Sequence, residues 1–370
     1  MVHPYSKING TAYTVAYDSM EELYNQMFAD LEDGISIFKA ALASGADVST
    51  LADFDYVYGG NFTKWVKYAN TLKLRMAMRI VNVAPALSKE KAEEAVNDSY
   101  GVMAEAGDAA FSSFNDGMNP FYRAAYTWNG GEFRASANIT SYLGGYKDPR
   151  LTIYVKESEE NGYVGVRNGI SQTASSFASY QKLSNVNVGE GDKLLVMSAA
   201  EAYFLRAEGA LRGWNMGGTA KELYETGIAV SMAEKGASVG DYLSSKAVPE
   251  AYTDPVNSKY NVVAASTICP AYDEMADFEV NLERIMVQKW IASYPSGWET
   301  WADIRRTGYP KLFPVGNNLS GGVVNTDRGM RRLPYPQSEY NTNLTNVNAA
   351  VGMLGGADNA GTDLWWAKKN

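Results

Sequence analysis

Two residue types that carry much of enzyme chemistry are almost missing from this sequence. It holds one cysteine, Cys269, which excludes an internal disulfide framework and a multi-cysteine metal site. It holds one histidine, His3, close to the start, so a histidine-based triad or a zinc site has almost no residues to use. No run of about 18 apolar residues is present that would span a bilayer as a helix. The stretch Met1 to Lys7 lacks a basic-then-apolar signal peptide. Positive charge is also in short supply: 33 Lys and Arg stand against 42 Asp and Glu, and a net charge of −9 invites neither nucleic acid nor an anionic membrane surface. Walker loops, Gly-x-Gly-x-x-Gly after a strand, Gly-x-Ser-x-Gly elbows and His-Glu-x-x-His are all absent. Asn185 to Asp192 has the flavour of a calcium loop but lacks its terminal Glu and its spacing. No cofactor and no metal is expected.

What remains is long, apolar and rich in aromatics. The chain has 370 residues, 46% of them hydrophobic, enough for a large core or for two domains that share one. Helical periodicity dominates. Ser19 to Glu22 reads as a capping box, and Leu23, Met27, Leu31, Ile35, Phe38 and Leu42 follow at helical spacing over about six turns. A second helix presents Phe62, Trp65, Val66, Ala69, Leu72, Met76, Ile80 and Val83, and Pro85 is expected to end it. Its Lys64, Lys67, Lys73, Arg75 and Arg79 suit a solvated face or buried pairing better than a phosphate site. A third helix is expected from Ser88 to about Tyr100. Ser198 to Glu201 and Thr219 to Glu222 read as two further capping boxes, opening a helical pair that runs to Gly236 and resembles a tetratricopeptide-type unit. Leu282, Ile285, Met286, Lys289 and Trp290 mark another helix that Pro295 and Gly297 stop. Trp298, Trp301, Ala302 and Arg305 mark its shorter successor, closed at Gly308 and Pro310. Trp290, Trp298 and Trp301 are expected in the core of that corner.

Between these helical blocks the composition changes. From Phe111 to Tyr180 the chain is rich in Gly, Ser, Asn and aromatics with little helical period, so long loops are expected, with a short strand at Leu151 to Val155. Loops of this length inside a compact protein are usually functional or disordered, and the aromatic content argues against disorder. The densest aromatic stretch is Phe121 to Tyr146. There Tyr122, Tyr126, Trp128 and Phe133 are interleaved with Arg123, Asn129, Glu132, Arg134 and Asn138, and Tyr163 and Tyr180 rank second. Gly352 to Gly361 reads as a flexible run, and the closing Trp365 and Trp366 are expected to dock on the body.

Several of these segments carry a family resemblance. Glu299 to Pro310, written Glu-x-Trp-x-Asp-x-Arg-Arg-Thr-Gly-Tyr-Pro, resembles the signature of the SusD-like outer-membrane nutrient-binding proteins, in particular the SusD/RagB-type branch that binds starch or other glycans. Asp55 to Arg79, Asp148-Pro-Arg-Leu151, the helical pair from Ala200 to Ile228, and Arg331 to Asn341 are similar to further elements of that family. The resemblance covers all but the family's N-terminal part. It implies that a lipoprotein leader ending in a lipidated cysteine, and the first helices, precede the part matched here. It also implies a mainly α fold, a tetratricopeptide-like helical repeat scaffold with long loop-rich insertions and few short strands. One domain is expected over 1–370, with a helical body at about 12–105, 196–237 and 272–310, a loop-rich ligand region at about 106–195 and an irregular C-terminal region at 311–370.

The function implied is cell-surface capture of a poly- or oligosaccharide for a TonB-dependent, SusC-like outer-membrane transporter. The membrane would be met only through a lipid anchor, and no nucleic acid is involved. Sugar rings expose apolar faces that stack on aromatic side chains while amides and charged groups bond the hydroxyls, which accounts for 25 Tyr and 8 Trp and for the missing catalytic motifs. The candidate ligand residues are Trp128, Tyr126, Tyr122, Phe133, Asn129 and Arg134, with Trp128 foremost because the Asn-Gly-Gly turn after it would hold it outward. Two alternatives stay open. A helical glycosidase would need a facing carboxylate pair, for which Asp273, Glu274 and Asp277 are the material. A tetratricopeptide-type scaffold would instead recognise a protein.

Overall fold

Ser19 opens the first helix as its spacing to Glu22 requires: its Oγ accepts from Glu22 N at 3.1 Å, and the Glu22 carboxylate accepts from Ser19 N at 3.1 Å. In the computed structural model, which describes residues 14–114 and 117–368, this helix is α1, Met20–Ser44, closed by Gly45 at φ 64°. The readings of Met1 to Lys7 fall outside the described residues. Helix α2 spans Phe62–Arg79 under an Asn61 cap. It stops at Arg79 without help from Pro85, which instead occupies the first turn of α3, Pro85–Val96, where a missing N–H leaves nothing unsatisfied. The third helix therefore starts ahead of Ser88 and ends short of Tyr100.

The stretch expected to be loops holds more regular structure than its sequence suggests. Single turns α4, Pro120–Tyr122, and α6, Leu151–Tyr154, flank α5, Ala137–Tyr146, and α7 follows at Ala174–Tyr180. Helix α5 is buried over most of its length, with Ala137, Ile139, Tyr142, Leu143 and Tyr146 all enclosed. A helix covered on all sides has no polar face and so shows no amphipathic period, which is why it reads as loop. Gly145 lets neighbouring backbone pass against it, since a Cβ there would lie 2.3 Å from Val248 O. The strand expected at 151–155 shrinks to β2, Val155–Lys156, paired antiparallel with β3, Asn185–Val186; β1, Ala110–Ser112, pairs with β4, Leu194–Met197.

The helical pair α8, Ala199–Leu211, and α9, Ala220–Glu234, lies at the centre, with α10, Phe278–Ser293, and α2 packed on α8. Thr219 and Glu222 form the expected capping box. Ser198 and Glu201 do not. Ser198 Oγ accepts from Ala200 N and donates to the Glu234 carboxylate at 2.7 Å, while Glu201 turns inward to take Arg75 Nε and Nη2 at 2.8 and 2.6 Å. A buried guanidinium binds a carboxylate more strongly than a free backbone N–H does, so the tertiary partner wins.

Helix α11, Trp298–Thr307, explains why its motif has those residues. Glu299 pairs with Arg79 at 2.6 Å, Asp303 with Lys289 at 2.6 Å, and Arg306 holds Glu208 of α8 through two bonds of 2.6 and 2.7 Å. The run is thus an ionic clamp that fastens α11 to α2, α8 and α10. Burial alone would raise the Asp303 carboxyl, but Lys289, Arg79 and Arg306 outweigh it and hold its pKa at about 2. On α2, Arg75 and Arg79 serve this cluster, Lys67 pairs with Asp108, Lys73 with Glu32 and Glu94, and Lys64 donates to Gly107 O at 2.6 Å, so these cations are engaged by the protein itself. The 311–370 region is less irregular than expected: it contains α12, Gln337–Thr342, and α13, Leu344–Leu354, the latter taking in the start of the supposed flexible run. Trp366 docks as anticipated, 5% exposed between the Arg79 and Arg305 guanidinium groups.

Of the three corner tryptophans Trp290 packs against the main core, whereas Trp301 is half-buried with its indole N–H on Met330 O and Trp298 departs furthest from expectation. Trp290 packs edge-on to Tyr142 with centroids 5.1 Å apart, and Trp301 lies 3.6 Å from the Arg305 guanidinium. Trp298 is 74% exposed. It belongs to the first turn of α11, beside exposed Gly297, where the helix runs past its packing partners; periodicity assigns a face but not where coverage ends.

Candidate functional site

The aromatic loop is built from the backbone outward. Asn119 accepts from Phe121 N at 2.8 Å and donates to Asp192 O at 3.0 Å, and its own N–H donates to Glu190 O at 2.8 Å, so the start of the loop is tied to 190–192. A wide π turn over Arg123–Thr127 follows, fixed from outside by Asn185 Nδ2 donating to Ala125 O at 3.0 Å. Asn129 at φ 47° and Gly131 at φ 86° then reverse the chain. Only glycine fits at 131, because a Cβ would lie 2.6 Å from Ala125 O. Arg134 closes the far end, donating to Gly131 O and Phe133 O at 2.7 and 2.6 Å and also to Gln181 O.

This frame sorts the six candidate residues. Trp128 and Phe133 are 54% and 60% exposed, and Asn129 is exposed beside them. Arg123 lies 5.9 Å from the Trp128 ring. Tyr122 and Tyr126 are half-buried and lie against each other, centroids 5.0 Å apart at 32°, with the Tyr126 hydroxyl donating to Val186 O. Arg134 spends its guanidinium on backbone carbonyls and acts as a fastener of the loop. Asn138 is buried and accepts from Phe313 N at 2.6 Å. Of the second-rank pair, Tyr163 packs against the main core, and Tyr180 is 3% exposed with its hydroxyl on the Asp254 carboxylate at 3.1 Å. Tyr180 is therefore a core residue, because α7 turns it inward onto a buried acid.

Two clefts adjoin this region. The smaller, about 440 Å³, lies at the start of the loop, where Asn119, Phe121, Phe111, Tyr154 and Tyr294 wall it, and is not lined by any of the six candidate residues. The larger, about 710 Å³, is walled by Trp290, Tyr294, Ile139, Phe313 and Val263. Tyr294 and Pro295, joined by a cis peptide bond, line both and divide them. Ser296 and Gly297 line the larger cleft immediately before the exposed Trp298 ring, a candidate that sequence reasoning missed. Its one sequence signal was a glycine directly ahead of an aromatic at a helix start. Volumes of this size suit a ligand of one to a few rings. The proposed glycosidase carboxylates stand elsewhere. Asp273, Glu274 and Asp277 are all exposed; Asp273 accepts from Met275 N at 3.0 Å and Glu274 lies 3.4 Å from Lys221. In the 185–192 stretch, Asp192 accepts from Gly189 N at 2.7 Å, which stabilises its own turn.

Comparison with known proteins supplies the rest. A family model described as SusD-like, Susd and RagB outer membrane lipoprotein, matches residues 3–367. A chitin-binding SusD homologue from Flavobacterium johnsoniae is 44% identical with a TM-score of 0.93, the match covering 99% of this chain and 76% of that one. A SusD homologue from Bacteroides uniformis ATCC 8492 is 43% identical with a TM-score of 0.92, covering 99% and 77%. A SusD-like protein from Bacteroides thetaiotaomicron VPI-5482 is 41% identical with a TM-score of 0.92, covering 100% and 77%. No curated protein matches the chain. With its helical scaffold, its α11 clamp and relatives of this identity, the protein belongs to the SusD-like family of outer membrane lipoproteins.

Proposed function

We propose that the protein is a non-catalytic glycan-binding protein that captures poly- or oligosaccharide at the cell surface for a TonB-dependent, SusC-like transporter. As a member of an outer-membrane lipoprotein family it works at the outer membrane; among the described residues, no helix is long and apolar enough to cross a membrane. The observation that carries the glycan reading is the Trp128 and Phe133 pair, exposed on a loop whose backbone is held by Asn119, Asn185 and Arg134. A fixed loop presents the rings without an ordering cost on binding, and an exposed indole offers its face to the apolar side of a sugar. The chitin-binding relative, 44% identical, favours the same ligand class.

A glycan array followed by calorimetry on the hits tests the reading, and an array with no binder would overturn it. Prolonged incubation of the best ligand with chromatography tests the non-catalytic part, since release of shorter products would make the protein a hydrolase. For the partner, membrane pull-down with the full-length lipoprotein is expected to recover a TonB-dependent barrel. Recovery of soluble proteins alone would favour the repeat-scaffold reading.

A further inference from the structure

We infer that the smaller cleft recognises the carboxylate of an acidic sugar, and that Lys235 is the residue that pairs with it. The inference rests on the glycan-binding reading and specifies which glycans this site prefers.

Among the described residues, one cation of this cleft is left without an anionic partner on a chain where such partners are plentiful. The protein carries a net charge of −9, and the larger cleft beside this one shows how cations are normally accommodated: Lys311 pairs with Glu283 at 2.9 Å and Arg328 with Asp363 at 2.7 Å. The smaller cleft differs. Lys235 follows the end of α9, half-buried, with its ammonium 5.5 Å from the Phe111 ring centre and 5.6 Å from that of Tyr154. Among the described residues no carboxylate pairs with it and no hydrogen bond reaches it. Its neighbour in sequence, Glu234, is turned away to cap α8, accepting from Ser198 Oγ at 2.7 Å and Ala200 N at 3.2 Å. Burial therefore dominates and depresses the Lys235 pKa below the ordinary lysine value, with Glu234 opposing and Arg150 reinforcing the shift.

A second lysine, Lys193, also lines the cleft, exposed and, among the described residues, without an ion pair. Among the described residues one carboxylate stands in the wall, Asp192, and it is engaged by Gly189 N. The balance among the described lining residues is two cations against one committed anion. A half-desolvated ammonium over aromatic rings has given up part of its hydration for weak cation–π contacts, and an anion entering the cleft restores what was lost. Phe111, Phe121 and Tyr294 line the same space with apolar surface, the complement of a pyranose face. At about 440 Å³ the cleft has room for a sugar ring carrying its carboxylate.

The test is calorimetric titration with trigalacturonate and sialyllactose, each against its carboxyl-reduced counterpart, in which a neutral hydroxymethyl group replaces the carboxylate and the rest of the sugar is kept. The acidic forms are expected to bind about tenfold or more tightly, as a charge-assisted bond implies. Lys235→Met should abolish most of that preference. Trp128→Ala should weaken acidic and reduced forms alike. Lys193→Gln, on an exposed side chain, should narrow the preference and keeps the test open should Lys235→Met not fold. Equal binding of acidic and reduced forms by the wild-type protein, or a preference that survives in both lysine variants, overturns the inference. Binding of neutral glycans without any acidic preference sinks this inference alone, whereas failure to bind any glycan sinks the glycan-binding reading beneath it.

Discussion

Replacing Trp128 by alanine separates a binding role from a packing role. The side chain is 54% exposed, so of the roughly 250 Å² that a tryptophan can bury, about 130 Å² is open to a ligand. At about 25 cal/mol per Å², complete coverage is worth about 3 kcal/mol, and coverage of one ring face about half of that. The expected loss on Trp128→Ala is therefore about 1–3 kcal/mol of glycan binding, or roughly 5- to 150-fold in Kd. Stability should hardly move. The loop is held by Asn119, Asn185 and Arg134 and not by the indole, and exposed substitutions usually stay within about 0.5 kcal/mol. The assay is calorimetric titration with the best array ligand beside thermal unfolding of the same samples. Trp366→Ala serves as the opposite control: at 5% exposure between two guanidinium groups it should cost about 3–5 kcal/mol of stability and leave affinity per folded molecule unchanged. If Trp128→Ala melts the protein early and binds normally, the indole is a packing residue and the site lies elsewhere.

Three further outcomes follow from the geometry. Glu208→Gln strips Arg306, 1% exposed, of its bidentate carboxylate and leaves it only the Asp303 carboxylate at 3.8 Å, which Lys289 already holds, and should cost about 3 kcal/mol in denaturation experiments; a loss below about 1 kcal/mol would show that the α11 clamp is not held by charge. Acid should destabilise the fold: Glu201, Glu208 and Asp303 have pKa values held below their unfolded values by buried cations, so their contribution is complete above about pH 5 and is lost as pH falls toward 2, with Asp303 alone worth about 2 kcal/mol. Glu234, raised by burial, works in the opposite direction but is outnumbered, so a melting temperature that climbs from pH 6 to pH 3 would contradict this balance. Gly131→Ala forces a Cβ to within 2.6 Å of Ala125 O at positive φ and should weaken glycan binding as Trp128→Ala does, through displacement of the loop; unchanged affinity in titration would mean that the loop geometry is irrelevant to binding.

Local chemistry made much of the scaffold readable from the chain alone. The capping boxes at Ser19 and Thr219 need only neighbours three residues apart, and both form. The amphipathic stripes of α1 and α2 and the Glu299 to Pro310 run are equally local, and that run was enough to point to the family. The signals failed where a residue's partner is distant. Ser198 and Glu201 look like a capping box until Arg75 arrives, and α5 reads as loop because burial on every side erases its period.

The site divides along the same line. Aromatic density marked 121–146 as the stretch to watch, and Trp128 and Phe133 do project from it, since a turn built on Asn129 and Gly131 is specified by those residues themselves. Tertiary packing alone decided that Arg134 would fasten backbone, that Tyr180 would sink onto Asp254, and that Trp298 would stand clear at the first turn of its helix. It also decided that Lys235 would face a cleft while Glu234 turned away to cap another helix. Spacing along the chain fixes which backbone groups a side chain can reach within a turn or two. Exposure and charge pairing depend on which element arrives from far along the chain, and at this site those elements come from 185–195, 235 and 294–298.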